Sequence, residues 1–208
     1  QSGRYINLPV GVGIIRATNP CGEKPLLPDE ACVLGHINLE SLVIRDELSP
    51  SRYRLDWDLL RENTKLMYEI LDNAIDQNHF TNERIEKTQK SNRKIGLGFM
   101  GLANALMKLE IPYDSEEARD WIKQVWGEVE RYSIDLSVKK AEKFGEFSNF
   151  KFSSLRRGPK RRNAIIRTLA PTGTTGFVAK TTGGCEPEYA LTYTRTTVQG
   201  TEVQVFNP

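Results

Sequence analysis

The stretch that most constrains the fold is Asn19-Pro20-Cys21-Gly22-Glu23, because its centre suits neither a helix nor a strand. Pro20 has no backbone N–H to donate, and Gly22 permits backbone conformations that other residues rarely adopt. The sequence therefore predicts a tight loop that presents an amide, a thiol and a carboxyl group. A reactive cysteine needs a base or an orienting partner within hydrogen-bond reach, and Asn19 and Glu23 could supply both. The same residues also suit an ordinary turn with an inert thiol.

Composition narrows the class of protein. The chain has 208 residues, 38% of them hydrophobic and 27% charged, which suits one domain or part of a larger one. A net charge of +2 gives no electrostatic reason to expect a nucleic-acid or membrane partner. No apolar run approaches the roughly 20 residues needed to span a bilayer. The chain begins at Gln1 without an initiator Met, so we expect a fragment.

The cysteines and histidines do not favour a structural metal site. Cys21, Cys32 and Cys185 form no CxxC pair, and His36 and His79 are the imidazoles in the sequence. Three cysteines are also too few for a disulfide scaffold. We therefore predict no bound metal and a reducing, cytoplasmic location. Cys185 has no evident base beside it, which indicates a structural role.

The apolar pattern predicts helices that alternate with strands, and hence an α/β class. A helix should start after Asp56 as N-cap and end at Gln77-Asn78, and a longer helix should start at an Asp114/Glu117 capping box and end at Gly145. The apolar positions that predict these helices are Leu60, Met67, Leu71 and Ala74 in the first, and Ala118, Ile122, Val125, Val129, Tyr132 and Leu136 in the second.

The remaining segments are shorter. Residues 14–17 should form a short buried strand that leads into the cysteine loop, and residues 33–43 suit either a strand or a helix. Residues 82–92 are almost wholly polar and predict a solvated helix or loop. Strands are expected at the ranges 164–169, 189–198 and 202–206. No linker marks a boundary, so we predict one domain over residues 1–208.

Residues 96–101 read Gly-Leu-Gly-Phe-Met-Gly and match the dinucleotide-binding GxGxxG pattern, with Asp120 near the distance expected for a ribose-binding acid. That fingerprint should follow a hydrophobic strand, whereas the polar residues 91–94 precede this one. Close packing of a helix on a strand is the favoured explanation. A nicotinamide-dependent oxidoreductase remains an alternative.

Two other segments could bind anions. Residues Pro171, Thr172, Gly173, Thr174, Thr175 and Gly176 place hydroxyls and glycines between a predicted strand and a helix start. This pattern is typical either of an anion site or of a Thr-capped helix. The basic run 156–162 contains no stacking aromatic, so a solvated loop is favoured over a nucleic-acid patch. Such a loop could raise the local concentration of an anionic ligand.

Separated segments of the chain resemble the ribonucleotide reductase large subunit in the right order. These segments are Asn19–Leu39, Arg93–Ala118 and Arg162–Arg195. The Asn-Pro-Cys-Gly-Glu motif is most similar to that of the adenosylcobalamin-dependent class II enzymes. The resemblance implies the C-terminal half of a ten-stranded α/β barrel with the cysteine loop in its middle.

The resemblance also implies roles for residues in reducing a ribonucleotide by thiyl-radical chemistry. Cys21 would carry the radical, Glu23 would accept the proton of the 3′-hydroxyl, and Asn19 would hydrogen-bond the ribose hydroxyls. Cys32 would belong to the reducing cysteine pair. Pro20 and Gly22 would complete the ribose site, and the substrate diphosphate would be held by Pro171, Thr172, Gly173, Thr174 and Thr175.

The implied cofactor is adenosylcobalamin, with a class I-type radical subunit left open. The implied partners are a ribonucleoside di- or triphosphate, a dithiol reductant such as thioredoxin, the missing N-terminal half of the barrel and a second copy of the chain. A catalytically incomplete reductase-like module that binds nucleotides without turnover is the other alternative.

Overall fold

The computed structural model describes residues 14–49, 52–188, 190, 192–197 and 199–206. Its strands are β1 (Ala17–Thr18), β2 (Pro25–Leu26), β3 (Leu34–Asn38), β4 (Val43–Arg45), β5 (Tyr53–Leu55), β6 (Gly96–Met100), β7 (Thr192–Thr196) and β8 (Glu202–Phe206). Its α-helices are α1 (Trp57–Gln77), α2 (Glu83–Asn92), α3 (Leu102–Lys108), α4 (Glu116–Phe144) and α5 (Gly173–Val178).

The chain divides into two compact units. Of the described residues, the first unit contains those in the ranges 14–37, 57–98 and 121–170, and the second contains those in the ranges 38–56, 99–120 and 171–206. Each unit is built from segments that are distant in sequence. The prediction of one domain over residues 1–208 stays a prediction.

Helix α1 has the predicted helical period, but of the four predicted apolar positions only Leu60 and Leu71 are buried, while Met67 and Ala74 are half-buried. Leu60, Tyr68, Leu71 and Ile75 are buried and recur at the spacing that places side chains on one face of a helix. The predicted end at Gln77 is confirmed. Sequence periodicity did not single out Tyr68, although its side chain is fully buried.

Helix α4 is capped one residue later than predicted. The Ser115 hydroxyl accepts a hydrogen bond from the Ala118 N–H at 3.0 Å and donates to the Pro112 carbonyl at 2.7 Å. The expected capping box at Asp114 is therefore wrong, because the Ser115 side chain already occupies the N-cap position. The predicted stop is confirmed, since Gly145 follows the helix with a φ of 81°.

The polar stretch 82–92 forms helix α2 and its N-cap. The Asn82 side chain accepts a hydrogen bond from the Arg84 N–H at 2.8 Å and caps the helix. Gln89 and Asn92 are each only 1% exposed, so one polar face is buried. The expectation of a solvated segment is wrong for that face, since the Gln89 Oε1 accepts the Ala31 N–H at 3.2 Å and the Asn92 amide donates to Glu30 at 3.1 Å.

A buried polar cluster joins α1 to the segment after α4. The Arg93 guanidinium lies 2.9 Å from Asp72 and 2.7 Å from Asp76. The Asn163 amide donates to Asp72 at 2.8 Å and accepts from the Tyr68 hydroxyl at 2.6 Å. These hydrogen bonds tie Asn163, and with it the start of the segment 163–168, to α1.

Strand β6 is paired with β3 and also receives the segment 164–168. The Ile95 and Leu97 N–H groups donate to the Ile165 and Ile166 carbonyls at 2.9 and 2.8 Å. The donors are two residues apart on the β6 side, whereas the acceptors are adjacent residues on the other side. Regular strand pairing between β6 and the segment 164–168 is therefore interrupted. The predicted strand 164–169 is wrong for this reason, and it is reduced to a single parallel bridge between Leu97 and Arg167.

The glycine pattern 96–101 belongs to close packing rather than to a dinucleotide site. Gly96 and Gly98 lie inside β6, whereas the fingerprint places its first glycines in the turn after a strand. A Cβ at Gly96 would lie 2.4 Å from the Leu34 side chain, and one at Gly98 would lie 2.4 Å from the Thr168 carbonyl oxygen. Close packing at these glycines is confirmed, but the neighbours are β3 and the segment 164–168 and not the expected helix. The nicotinamide alternative loses its motif.

The second unit contains two antiparallel pairs. Strand β4 pairs with β5, and β7 pairs with β8 from Thr192 opposite Phe206 to Thr196 opposite Glu202. Predicted strands are thus confirmed at 192–196 and 202–206, while positions 189, 191 and 198 of the predicted range lie outside the described residues. The open range 33–43 contains β3 and a 3₁₀ turn at Glu40–Leu42 and ends where β4 begins. Among the described residues, no helix has the combination of length and apolar character that a membrane crossing requires.

Candidate active site

The cysteine loop is the tip of a short hairpin in the first unit. Strands β1 and β2 pair antiparallel, and the Asn19 N–H donates to the Lys24 carbonyl at 3.1 Å. The Gly22 N–H donates to the Asn19 carbonyl at 3.0 Å, and Gly22 has a φ of 84°. The predicted tight loop is confirmed, with Gly22 in a conformation that favours glycine.

The strand that leads into this loop is shorter and more exposed than predicted. β1 covers only Ala17 and Thr18, and Ile14 is 68% exposed. The expected buried strand over residues 14–17 is therefore wrong. Only two residues on each side pair, and this short ladder leaves the preceding apolar side chains outside a sheet.

Cys21 and Glu23 differ sharply in exposure. Cys21 is exposed at the loop tip. Both carboxylate oxygens of Glu23 are buried and have no hydrogen-bond partner among the residues that the structure describes. Burying a carboxylate without donors is costly, so this group is suited to accept a hydrogen bond or a proton from a ligand.

One polar group of the Asn19 side chain already forms a hydrogen bond within the loop. Its side chain is buried, and its Oδ1 accepts the Lys24 N–H at 2.8 Å. The Nδ2 group is therefore the part of the side chain that could donate to a substrate hydroxyl. The amide thus both closes the hairpin and offers a donor.

Cys32 lies half-buried in the same unit. Burial raises the pKa of the Cys32 thiol, the Lys24 ammonium opposes that rise, and the Glu23 and Cys21 charges add to it. The groups predicted from the sequence, Cys21, Glu23 and Cys32, are therefore close enough to act on one another electrostatically.

Sequence reasoning missed two basic residues near Glu23. Lys24 is 1% exposed, and burial lowers its pKa from 10.5 to about 8. On β3, burial likewise lowers the pKa of His36, whose Nε2 is buried without a partner among the described residues. The sequence signal for Lys24 was its position directly before the apolar run Pro25-Leu26-Leu27.

A cavity of about 310 Å³ opens beside Glu23 within the first unit. Its walls are formed by the loop, by α4 and by the segment after Arg161. The lining residues are Glu23, Lys24, Pro25, Glu130, Ile134, Arg161, Ala164, Ile165, Ile166, Arg167 and Thr168. Glu23 therefore lines a space large enough for a small ligand.

The cavity changes the interpretation of the basic run. Arg156, Arg157 and Lys160 are exposed, as the prediction of a solvated loop requires. Arg161 departs from that prediction, because it lines the cavity and burial lowers its pKa. Arg167 also lines the cavity and forms an ion pair with Glu130.

The Pro171–Gly176 loop lies in the second unit and forms a turn that begins α5. Thr172 has a φ of 55°, and its hydroxyl accepts the Gly184 N–H at 2.7 Å. That hydroxyl makes no capping hydrogen bond to α5, so the alternative prediction of a Thr-capped helix is wrong. Gly173, Thr174 and Thr175 are exposed. A Cβ at Gly173 would meet nothing within 4 Å.

Cys185 also lies in the second unit and is exposed. The Tyr113 hydroxyl donates to its backbone carbonyl rather than to its sulfur. Among the described residues, no group of three or more His, Cys, Asp or Glu side chains is arranged to hold a metal ion.

Comparison with known proteins identifies the family. The model of the ribonucleotide reductase barrel domain matches residues 4–161 and 160–208. The chain belongs to this family, and the resemblance seen in the sequence is confirmed. Its fold is accordingly that of an α/β barrel fragment.

Curated relatives agree with the family model. The vitamin B12-dependent ribonucleoside-diphosphate reductases of Mycobacterium tuberculosis and Thermoplasma acidophilum are each 41% identical over 198 residues, which is 95% of this chain. The large subunit of ribonucleoside-diphosphate reductase from Caenorhabditis elegans is 26% identical over 225 residues. The chain spans 27%, 25% and 28% of these three relatives, so about a quarter of their length.

Proposed function

We propose that this chain supplies the cysteine loop and a phosphate-binding loop of a ribonucleotide reductase. The reaction replaces the 2′-hydroxyl of a ribonucleoside di- or triphosphate with hydrogen. The observation that carries the proposal is the exposed Cys21 thiol beside the buried, unpartnered Glu23 carboxylate. The names of the similar reductases favour a diphosphate substrate.

Each residue of the loop has a defined task in this proposal. The Cys21 thiyl radical takes the 3′-hydrogen, since a thiol S–H bond is weak enough for reversible exchange. Glu23 takes the 3′-hydroxyl proton as general base, and the Asn19 Nδ2 donates to a ribose hydroxyl. Cys32 supplies reducing equivalents. Pro20 and Gly22 hold the loop in the conformation that presents these groups.

Adenosylcobalamin is the proposed cofactor, because similar proteins are named vitamin B12-dependent. When bound, it supplies the radical that starts the reaction. The position of Cys21 fits such a cofactor, since the exposed thiol at the hairpin tip is accessible from outside the loop. A separate class I-type radical subunit would require the same exposure.

Further proposals concern the assembly. We expect these residues to form the C-terminal half of a ten-stranded barrel within one domain and to join an N-terminal half. A dithiol such as thioredoxin would restore the cysteines. Association with a second copy and a cytoplasmic location complete the proposal.

The test of the cysteine loop compares three variants in a complete enzyme that carries this segment. Cys21→Ser should abolish both tritium release from 3′-labelled substrate and product formation, because an O–H bond is too strong for the exchange. Cys32→Ser should retain tritium release while steady turnover stops. Glu23→Gln should lower the rate of both by about 10²–10⁴.

Cys185→Ser is the matched control, since Cys185 is an exposed thiol in the other unit. Its activity should match that of the parent enzyme. Tritium release by Cys21→Ser at the parental rate would refute the proposed role of Cys21. Nucleotide binding without release by any form, including the parent, would instead support a module that binds nucleotides without turnover.

The phosphate loop is tested by binding. Gly173→Val should weaken nucleotide affinity by blocking backbone approach, while folding is retained because the added Cβ meets open space. Thr174→Ala should cost about 1 kcal/mol for a neutral hydrogen bond, and up to about 3 kcal/mol for a charged acceptor. Calorimetric titration with nucleoside diphosphate measures both. Unchanged affinity in both variants would remove the loop from the substrate site.

A further inference from the structure

Glu30 and Lys94 form an ion pair to which the proposed reaction assigns no role. The side chains of both residues are fully buried. The Glu30 carboxylate also accepts the Leu27 N–H at 2.8 Å and the Asn92 side-chain amide at 3.1 Å. Replacing a buried ion pair by packed apolar side chains is often neutral for stability, so the segment that the pair holds in place is its more informative property.

Glu30 lies in the turn that connects the cysteine hairpin to Cys32. Its carboxylate closes that turn by accepting the N–H of Leu27, three residues earlier. Through Asn92 and Lys94 the same carboxylate joins the turn to the end of α2 and to the residues just before β6. One side chain therefore connects parts of the first unit that are 62 and 64 residues apart in sequence.

The backbone on both sides of Cys32 is hydrogen-bonded to the same region. The Ala31 N–H donates to the Gln89 side chain of α2 at 3.2 Å, and Gln89 is only 1% exposed. On the other side, the Val33 carbonyl accepts the N–H of Gly96, the first residue of β6, at 2.8 Å. The backbone that carries the Cys32 thiol is therefore fixed between two contacts, and Glu30 adds a buried ion pair to them.

We propose that Glu30 is a positioning residue for Cys32, because its ion pair with Lys94 holds the backbone of the thiol in place for disulfide formation. This role rests on the proposed function. In the reducing step, Cys32 and the second thiol of the reducing pair become one disulfide. Their two hydrogens and two electrons pass to the ribonucleotide, and its 2′-oxygen leaves as water. An S–S bond requires a distance of about 2 Å and a restricted dihedral angle, so a displaced Cys32 should slow this step.

Glu30→Gln in a complete enzyme that carries this segment tests the role by one round of reaction. The variant removes the charge that pairs with Lys94 and keeps nearly the same side-chain volume. Pre-reduced enzyme is mixed with 3′-tritiated substrate without added reductant, and tritium release and product are measured in the same sample. Product formation should fall about tenfold to hundredfold. Tritium release should stay at the parental rate, because hydrogen abstraction by Cys21 does not use Cys32.

Alkylation by iodoacetamide measures the position of Cys32 without turnover. Cys32 is half-buried, so release of its segment should expose the thiol and raise its alkylation rate severalfold in Glu30→Gln. Mass spectrometry of the peptides gives a separate rate for each cysteine. Cys185, in the other unit, is the internal reference and should keep its parental rate.

Two further variants control for folding and for charge. Glu69→Gln is the matched control, since Glu69 on α1 pairs with Lys140 at 2.6 Å in the same unit and should leave the ratio of product to tritium unchanged. Glu30→Asp keeps the charge but shortens the side chain, so it should show an intermediate loss of product. Thermal unfolding identifies the variants that fold, and Glu30→Asp provides the test where Glu30→Gln does not fold.

Three outcomes in a folded Glu30 variant would overturn the proposal. These are parental product formation, a parallel fall of product and tritium release, and a parental rate of Cys32 alkylation. Absence of tritium release in the parent enzyme would instead contradict the proposed function. The alkylation rates would then still decide whether Glu30 holds Cys32 in place, so the two failures are distinguishable.

Discussion

Cys21 and Cys32 illustrate how the surroundings of a side chain decide its chemistry. Both are single thiols in neighbouring segments, and local sequence does not separate them. In the folded unit Cys21 is exposed, whereas Cys32 is half-buried and is acted on by Lys24 and Glu23. An exposed thiol is accessible to a substrate, whereas burial raises the pKa of the Cys32 thiol and so lowers its thiolate fraction.

A prediction at the residue scale concerns the stability cost of Lys24. Its pKa falls from 10.5 to about 8, so the folded state disfavours the charged form. Lys24→Met should raise the free energy of unfolding by about 3 kcal/mol at pH 7. Between pH 8 and 10.5 the unfolded parent holds more protons than the folded parent, so parental stability rises with pH and the advantage of the variant shrinks.

Urea unfolding at several pH values measures this difference, with Cys32→Ser in both proteins to remove coupling to the thiol. Lys65→Met is the control, because Lys65 is exposed on α1 and should change stability little. A stability difference that stays constant from pH 7 to 10.5 would show that the charge of Lys24 is not its cause.

At the scale of elements, β6 shows why small residues stand where the sequence places them. The strand is buried throughout and receives β3 and the segment 164–168. Neighbouring backbone approaches so closely at Gly98 that a side chain has no space. The glycine pattern is thus a requirement of packing, and it places the segment that lines the cavity beside Glu23.

Two substitutions test this packing account by making the same chemical change, Gly to Ala, at a crowded position and at an open one. Gly98→Ala should lower the free energy of unfolding by about 1–3 kcal/mol, because its Cβ would lie 2.4 Å from the Thr168 carbonyl oxygen. Gly127→Ala, on α4 with no atom within 4 Å of the added Cβ, should raise it by about 0.5–1 kcal/mol. Thermal or urea unfolding reports both. Equal effects of the two changes would contradict the packing account.

At the scale of the whole molecule, the length of the chain limits what it can do alone. It covers about a quarter of the length of the reductases that it matches. The cysteine loop and the Pro171–Gly176 loop lie in different compact units. We expect an N-terminal half of the barrel to supply the rest of the proposed active site.

The expressed 208-residue chain should therefore show no nucleotide reduction with adenosylcobalamin and a dithiol. It should also self-associate at high concentration, since unpaired strand edges and exposed apolar side chains favour contact between copies. Product analysis and light scattering measure the two properties, with a complete enzyme as the positive control. Measurable turnover, or a clean monomer at high concentration, would contradict the respective expectation.

The sequence by itself determined the features that depend on local chemistry. Pro20 and Gly22 predicted the loop, the 3.6-residue period predicted α1 and α4, and Gly145 predicted where α4 ends. The separated motifs identified the family, because their order along the chain is specific. These signals depend on residues close together in sequence or on motifs that can be recognised without a structure.

Only the tertiary structure decided which polar side chains are buried. The cavity beside Glu23, the burial of Lys24 and the position of Arg161 in the cavity wall arise because segments distant in sequence pack together. The interrupted strand pairing of residues 164–168 is likewise set by β6 and not by their own β propensity. Burial and pairing are properties of neighbours, and local sequence does not specify which neighbours will meet.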